Sequence, residues 1–160
     1  MSDIDHPFYV LSVKMFYIRH IYLHMVPQFE IKQLAVSFFQ HPFYPAGGSV
    51  SHASNLVNLP VPAYTKGPQV RELVSTQWLP RLEAYRPEMI FISAGFDAHR
   101  DDDLGQMGLL EADFAWMTAR IKAIADRHAQ GRIVSCLEGG YNLDALARSV
   151  EAHIRVLADL

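Results

Sequence analysis

Met89-Ile90-Phe91-Ile92-Ser93-Ala94, running into Gly95-Phe96-Asp97, is the stretch from which the fold of this chain is read. It is a short apolar run with no polar alternation, the pattern of a parallel strand covered on both faces. Downstream, a helix is predicted from about Leu110, with Leu110, Phe114, Met117, Ile121 and Ile124 on one stripe. Gly131 suits its C′ position, where a left-handed residue closes the last turn. Residues 132–137 form the next strand. Asn142 is a good N-cap for a last helix that should bury Leu143, Leu146, Val150, Ile154 and Leu157. Strand, helix, strand, helix at this spacing predicts an α/β fold: a parallel sheet flanked by helices, with right-handed crossovers.

Upstream the signals are weaker. Leu34-Ala35-Val36-Ser37-Phe38-Phe39 has β character. A loop over 42–54 is marked by Pro42, Pro45, Gly47 and Gly48. Leu56-Val57-Asn58-Leu59 is a short strand that Pro60 and Pro62 should end. Pro68 suits the first turn of a helix burying Val70, Leu73, Val74, Trp78 and Leu82, which Pro80 should kink or break. Residues 8–26 are rich in aromatic and aliphatic side chains. Lys14, Arg19, His20 and His24 interrupt them, so no run reaches the roughly 18 residues of a membrane span. Their spacing fits neither helix nor strand, and the segment reads as a buried element or an oligomer contact.

The 160 residues are half hydrophobic and 19% charged, which excludes a disordered chain. Fourteen basic against 17 acidic side chains leave no electrostatic footprint for nucleic acid. The acidic start Met1-Ser2-Asp3-Ile4-Asp5 is unlike the basic start of a secretory signal. The lone Cys136 fits a reducing compartment, and the expectation is a cytoplasmic chain with neither membrane nor nucleic-acid partners. Lying inside a predicted strand, Cys136 reads as a buried structural thiol.

In open parallel sheets ligands bind beyond the carboxyl ends of the strands. Two loops leave such ends here, 95–103 and 138–142. A single crossover between them puts Asp97 and Tyr141 at one edge. Gly139-Gly140 lets the backbone turn sharply and approach a ligand. Asp97 is a loop cap, a salt-bridge partner of Arg100, or a hard ligand for a divalent cation. Tyr141 is either a wall aromatic or a functional phenol. The Asp101-Asp102-Asp103 run lacks calcium-loop spacing and reads as a solvated turn. Asp97-Ala98-His99 falls short of the three protein ligands of a catalytic zinc. Ser93, Ser135 and Ser149 lie in no Gly-x-Ser-x-Gly elbow. His153 reads as a surface or packed histidine.

Four stretches then carry a resemblance: VSFFQHPFYPAGG (36–48), NLVNLPVPAYTKG (55–67), WLPRLEAYRPEMIFISAGFDAHRDD (78–102) and IVSCLEGGYNLDALARSVEAHI (133–154). Together they resemble the histone deacetylase and acetylpolyamine amidohydrolase family, especially its bacterial members, over roughly 29–160. The resemblance implies an arginase/deacetylase-type fold, here a truncated one. It implies zinc as cofactor, with Asp97 as one zinc ligand and Tyr141 as the catalytic donor to the oxyanion of a cleaved acetyl amide. Phe43 and Tyr44 would line the acyl-lysine tunnel, and Ser37 falls near a structural monovalent-cation site. His99 commonly stands beside this motif without being a ligand.

The family's paired general-base histidines are missing. So is the Asp-x-His stretch with its His-Gly-Asn-Gly-Thr tail that supplies the other two zinc ligands. Residues 1–28 do not resemble the family and read as a divergent segment, either covering a sheet edge or making an oligomer contact. The expectation is an incomplete zinc site, weakly occupied, in a chain that is inactive alone or completed by another polypeptide. The alternative is a non-catalytic, self-associating interaction protein. An arginase-like enzyme ranks last, because its Asp-x-His-x-Asp motifs are absent.

Overall fold

The structure is a computed structural model and describes residues 8–14, 31–42 and 54–160. Among the described residues five strands form one sheet: β1 (Phe8–Lys14), β2 (Ile31–Gln40), β3 (Leu56–Val61), β4 (Met89–Gly95) and β5 (Ile133–Gly139). Their order is β3-β2-β1-β4-β5, and every pairing is parallel. The helices are α1 (Gly67–Leu73), α2 (Leu79–Tyr85), α3 (Glu111–His128) and α4 (Leu143–Leu157). Among the described residues no helix is long and apolar enough to cross a membrane.

The ambiguous segment resolves as the middle strand. Leu11 and Val13, two residues apart, point the same way and are fully buried. Residues 8–14 therefore lie inside the sheet, paired on both sides, and cover neither of its edges. The rest of 1–28 lies outside the described residues.

Two prolines behave differently from the sequence expectation. Pro60 does not end β3: it sits opposite Phe39, and the strand continues to Val61. The strand tolerates it because β3 is at an edge, where a missing N–H breaks no ladder on the outer side. Pro80 does not break the helix. A π-helical turn at Val74–Trp78 joins α1 to α2, and Leu79 N–H reaches back to Val74 O. The widened turn absorbs the missing donor and keeps Trp78 and Leu82 fully buried.

α3 buries Phe114, Met117, Ile121 and Ile124 as their spacing requires, while Leu110 caps the helix instead of joining the stripe. Asp113 Oδ2 accepts the Leu110 N–H at 2.9 Å. Ala129 closes the helix, and Gln130 and Gly131 are both left-handed (φ 52° and 73°), so Gly131 follows the C′ position by one residue.

α4 begins at Asn142, whose Oδ1 accepts the Ala145 N–H at 3.0 Å. Asn142→Ala should cost about 1 kcal/mol, the usual loss of an N-cap, read from urea denaturation midpoints. The face α4 buries is not its apolar stripe. Ala145, Ser149 and His153 are buried, Leu146 and Val150 are half-buried, and Leu143 and Ile154 are 77% and 52% exposed. The helix is turned by a polar chain. Thr118 Oγ1 donates to Phe114 O at 2.7 Å, so at 2.7 Å it accepts from His153 Nδ1. Nε2 is left to accept from Ser135 Oγ at 2.9 Å. Burial also holds His153 towards its neutral form, which this pattern requires.

β5 departs most from expectation. Cys136 is exposed, as are Val134 and Leu137 (61%). The strand is an edge strand among the described residues, so one side of its backbone and much of its side-chain surface meet no neighbour.

Candidate functional site

β4 and β5 are adjacent and parallel, so their carboxyl ends emerge together. Phe96 N–H donates to Gly139 O at 2.8 Å and ties the two exit loops. Asp97 is 2% exposed, and its Oδ1 has no hydrogen-bond partner among the described residues. Burial raises its pKa to about 7, opposed by its own turn's backbone and reinforced by the charges of Asp102 and Glu138. Arg100 pairs with Asp101 at 3.3 Å, so the reading of Asp97 as an ion-pair partner of Arg100 is not realised.

The double glycine has two separate reasons. A Cβ at Gly139 would stand 2.9 Å from Asp97 Oδ2, so the backbone itself forms one wall around the carboxylate. Gly140 has φ +131°, and a Cβ there would meet Leu146 Cδ1 at 2.8 Å.

Asp102 holds the second loop in place. Its Oδ2 accepts from Tyr141 N–H at 2.6 Å and Asn142 N–H at 3.2 Å, and its Oδ1 from Leu104 N–H at 3.0 Å. The solvated-turn reading of 101–103 is thus corrected for its middle residue, which is 6% exposed. The turn closed by Asp102 N–H on His99 O at 3.0 Å points it inward. Three consecutive aspartates carry no pattern by which one stands out.

Tyr141 is about half exposed. Partial burial and the nearby Asp97 and Asp102 raise its pKa, so the phenol keeps its proton at neutral pH. Asp97 and Tyr141 do meet at one edge.

His99 is 1% exposed and already engaged. Its Nδ1 accepts from Asp101 N–H at 3.1 Å, and its Nε2 faces Glu111 Oε1 at 3.3 Å without hydrogen-bond alignment. The loop carrying these residues is anchored to β2 by a reciprocal amide pair. Gln40 Oε1 accepts Gln106 N–H at 3.0 Å, and Gln40 Nε2 donates to Gln106 Oε1 at 3.3 Å. Ser37 Oγ donates to Asn58 Oδ1 at 2.8 Å, within the sheet. Phe43 and Tyr44 lie outside the described residues.

Among the described residues no group of three His, Cys, Asp or Glu converges for a metal. The unpartnered oxygen of Asp97 suits a cation, but one carboxylate does not make the three-ligand set of a catalytic zinc. A cavity of about 470 Å³ lined by Tyr9, Tyr85, Arg86, Glu88, Arg127 and His128 opens at the other end of the strands, away from Asp97.

Known proteins resemble this chain in sequence and in fold. The histone deacetylase domain profile matches residues 29–157. Type-2 histone deacetylase 2 of Dictyostelium discoideum is 44% identical over 90 residues, which are 52% of this chain and 5% of that protein. The histone deacetylase-like amidohydrolase of Pseudomonas aeruginosa is 47% identical over 64 residues, 40% of this chain and 17% of that one. The crystal structure of the HDA15 HD domain superposes with a TM-score of 0.78 at 28% identity, covering 94% of this chain and 44% of that domain. This chain therefore matches less than half the length of each of these relatives. The fold is the arginase/deacetylase fold, and the chain belongs to the histone deacetylase family.

Proposed function

We propose that this chain carries one side of an acetyl-lysine or acetylpolyamine deacetylase site, and that it hydrolyses no amide by itself. The observation that carries this reading is the buried Asp97 carboxylate, one oxygen unpartnered, at the same sheet edge as the protonated phenol of Tyr141. Asp97 is one zinc ligand. Tyr141 donates its O–H to the oxygen of the amide carbonyl as negative charge develops there, an interaction that strengthens in the transition state. With one ligand of the three that a catalytic zinc needs, and without the family's general-base histidines, the site is incomplete. The exposed Cys136 thiol supports a reducing, cytoplasmic setting.

Elemental analysis after zinc loading and dialysis, with an acetyl-lysine peptide assay on the same sample, tests this. The expected result is zinc well below one ion per chain and no metal-dependent turnover. Stoichiometric zinc with turnover, both lost in Asp97→Ala, would overturn the claim of inactivity. A second reading, a self-associating protein with no catalytic role, is supported by the bare strand at the sheet edge.

A further inference from the structure

We propose that α4 is an acid-released latch: it stays docked while the His153 ring is neutral and comes away when the ring takes up a proton. The inner face of the helix has little else to hold it. Ala145, Ser149 and His153 lie on one stripe and are its buried residues. Ala145 is small, and Ser149 Oγ is buried without a hydrogen-bond partner among the described residues. Leu146 and Val150 flank the stripe and are only half-buried. The two polar contacts of this face are both made by one imidazole, to Thr118 of α3 and to Ser135 of β5.

The direction of these bonds is set from one end. The Thr118 O–H is spent on Phe114 O, so Thr118 Oγ1 accepts and Nδ1 carries the ring's single hydrogen. Nε2 is then the acceptor for the Ser135 O–H. A second proton goes onto Nε2 and removes that acceptor. The Ser135 hydroxyl has to turn round, and the new charge stays in a site built for a neutral ring.

No carboxylate among the described residues meets that charge. Thr118 faces the ring from α3, Ser135 from β5, and the Phe96 ring from the exit of β4 at 5.8 Å. One turn away along α4 stand Ser149, Val150, Val156 and Leu157, all uncharged. One turn beyond Thr118 on α3 stands Lys122, which pairs with Asp126 and Asp159. Glu111 of α3 is held by Arg148, and Glu151 of α4 by Arg155. Cys136, next to Ser135, lies on the other face of β5 by alternation. Burial is accordingly the one cause acting on the ring, and it lowers the pKa.

The sign follows. Undocked, the ring takes up its proton at the ordinary 6.5, and docked, only below it. Docking is therefore fully supported above 6.5 and weakens as the pH falls through that value towards the docked one. The ring is enclosed by α3, α4 and Phe96 as well as by β5, so a neighbour beside β5 would bury it further and leave the latch in place. Because α4 begins at Asn142, its release also frees the end of the loop that carries Tyr141.

The test is amide hydrogen exchange on the full 160-residue chain at about pH 7.5 and about pH 5, read as protection factors so that the intrinsic pH dependence drops out. In the wild type, protection across α4 should fall about tenfold more than across α3 between the two conditions. In His153→Gln, which is neutral at both, the ratio of α4 to α3 protection should not change. The ring gives a second readout, which decides the matter if this variant leaves α4 undocked throughout. Nitrogen-15 shifts of the wild-type ring should show the hydrogen on Nδ1, with a titration midpoint below 6.5. A midpoint at or above 6.5 would overturn the proposal. So would wild-type α4 protection that ignores pH, or an acid loosening that persists in full in His153→Gln.

Discussion

Asp97→Asn is expected to stabilise the metal-free chain at pH 8 by about 3 kcal/mol while leaving it nearly unchanged at pH 4. The buried carboxylate holds its proton up to about 7, against an ordinary 3.8. The folded state thus binds this proton more tightly than the unfolded chain does. The stability it contributes is fully present below about pH 4 and is lost as the pH rises through 7. That difference corresponds to about 4 kcal/mol for the wild type, and an asparagine, which does not titrate, loses none of it. The smaller figure for the variant allows for an amide that is itself buried with few partners. Urea denaturation of both proteins at pH 4, 6 and 8 checks this, and parallel pH profiles would sink it. A cation bound at the carboxylate would offset the cost of keeping Asp97 ionised. Zinc at saturating concentration should therefore narrow the gap between wild type and variant at pH 8.

Asp102→Ala is expected to cost about 3 kcal/mol. The change removes one carboxylate that accepts from three backbone donors, those of Leu104, Tyr141 and Asn142. Those N–H groups sit in a part-buried loop, and water replaces the charge-assisted bonds only in part. Asp102→Asn should cost about half as much, since an amide oxygen retains one set of these bonds. Hydrogen exchange at the Tyr141 and Asn142 amides should accelerate in both variants, and more in the alanine. A loss below about 1 kcal/mol with unchanged exchange would mean that the loop is held by Gly140 and the Phe96–Gly139 bond alone. Asp102 fixes the backbone of Tyr141 while its phenol stays half in solvent.

These two residues divide what was legible from what was not. Asp97 is visible in the sequence because it directly follows a strand that must be buried, and a charge there needs a reason. Tyr141 is visible because it follows a double glycine at the next strand end. Asp102 is hidden in a run of three like charges, and only the turn onto His99 O gives it a different environment from its neighbours.

By itself the sequence determined β4, β5, α3, the start of α4 at Asn142 and the parallel architecture, together with Asp97 and Tyr141 at one edge. Each of these follows from periodicity, capping or position along the chain, which are local properties. Tertiary structure decided that residues 8–14 form the middle strand, that Pro60 stays within an edge strand, that His153 turns α4 away from its apolar stripe, and that Cys136 and Leu137 are bare. Those outcomes depend on which elements lie beside a segment. A strand written for burial has the same sequence whether or not a neighbour arrives to cover it.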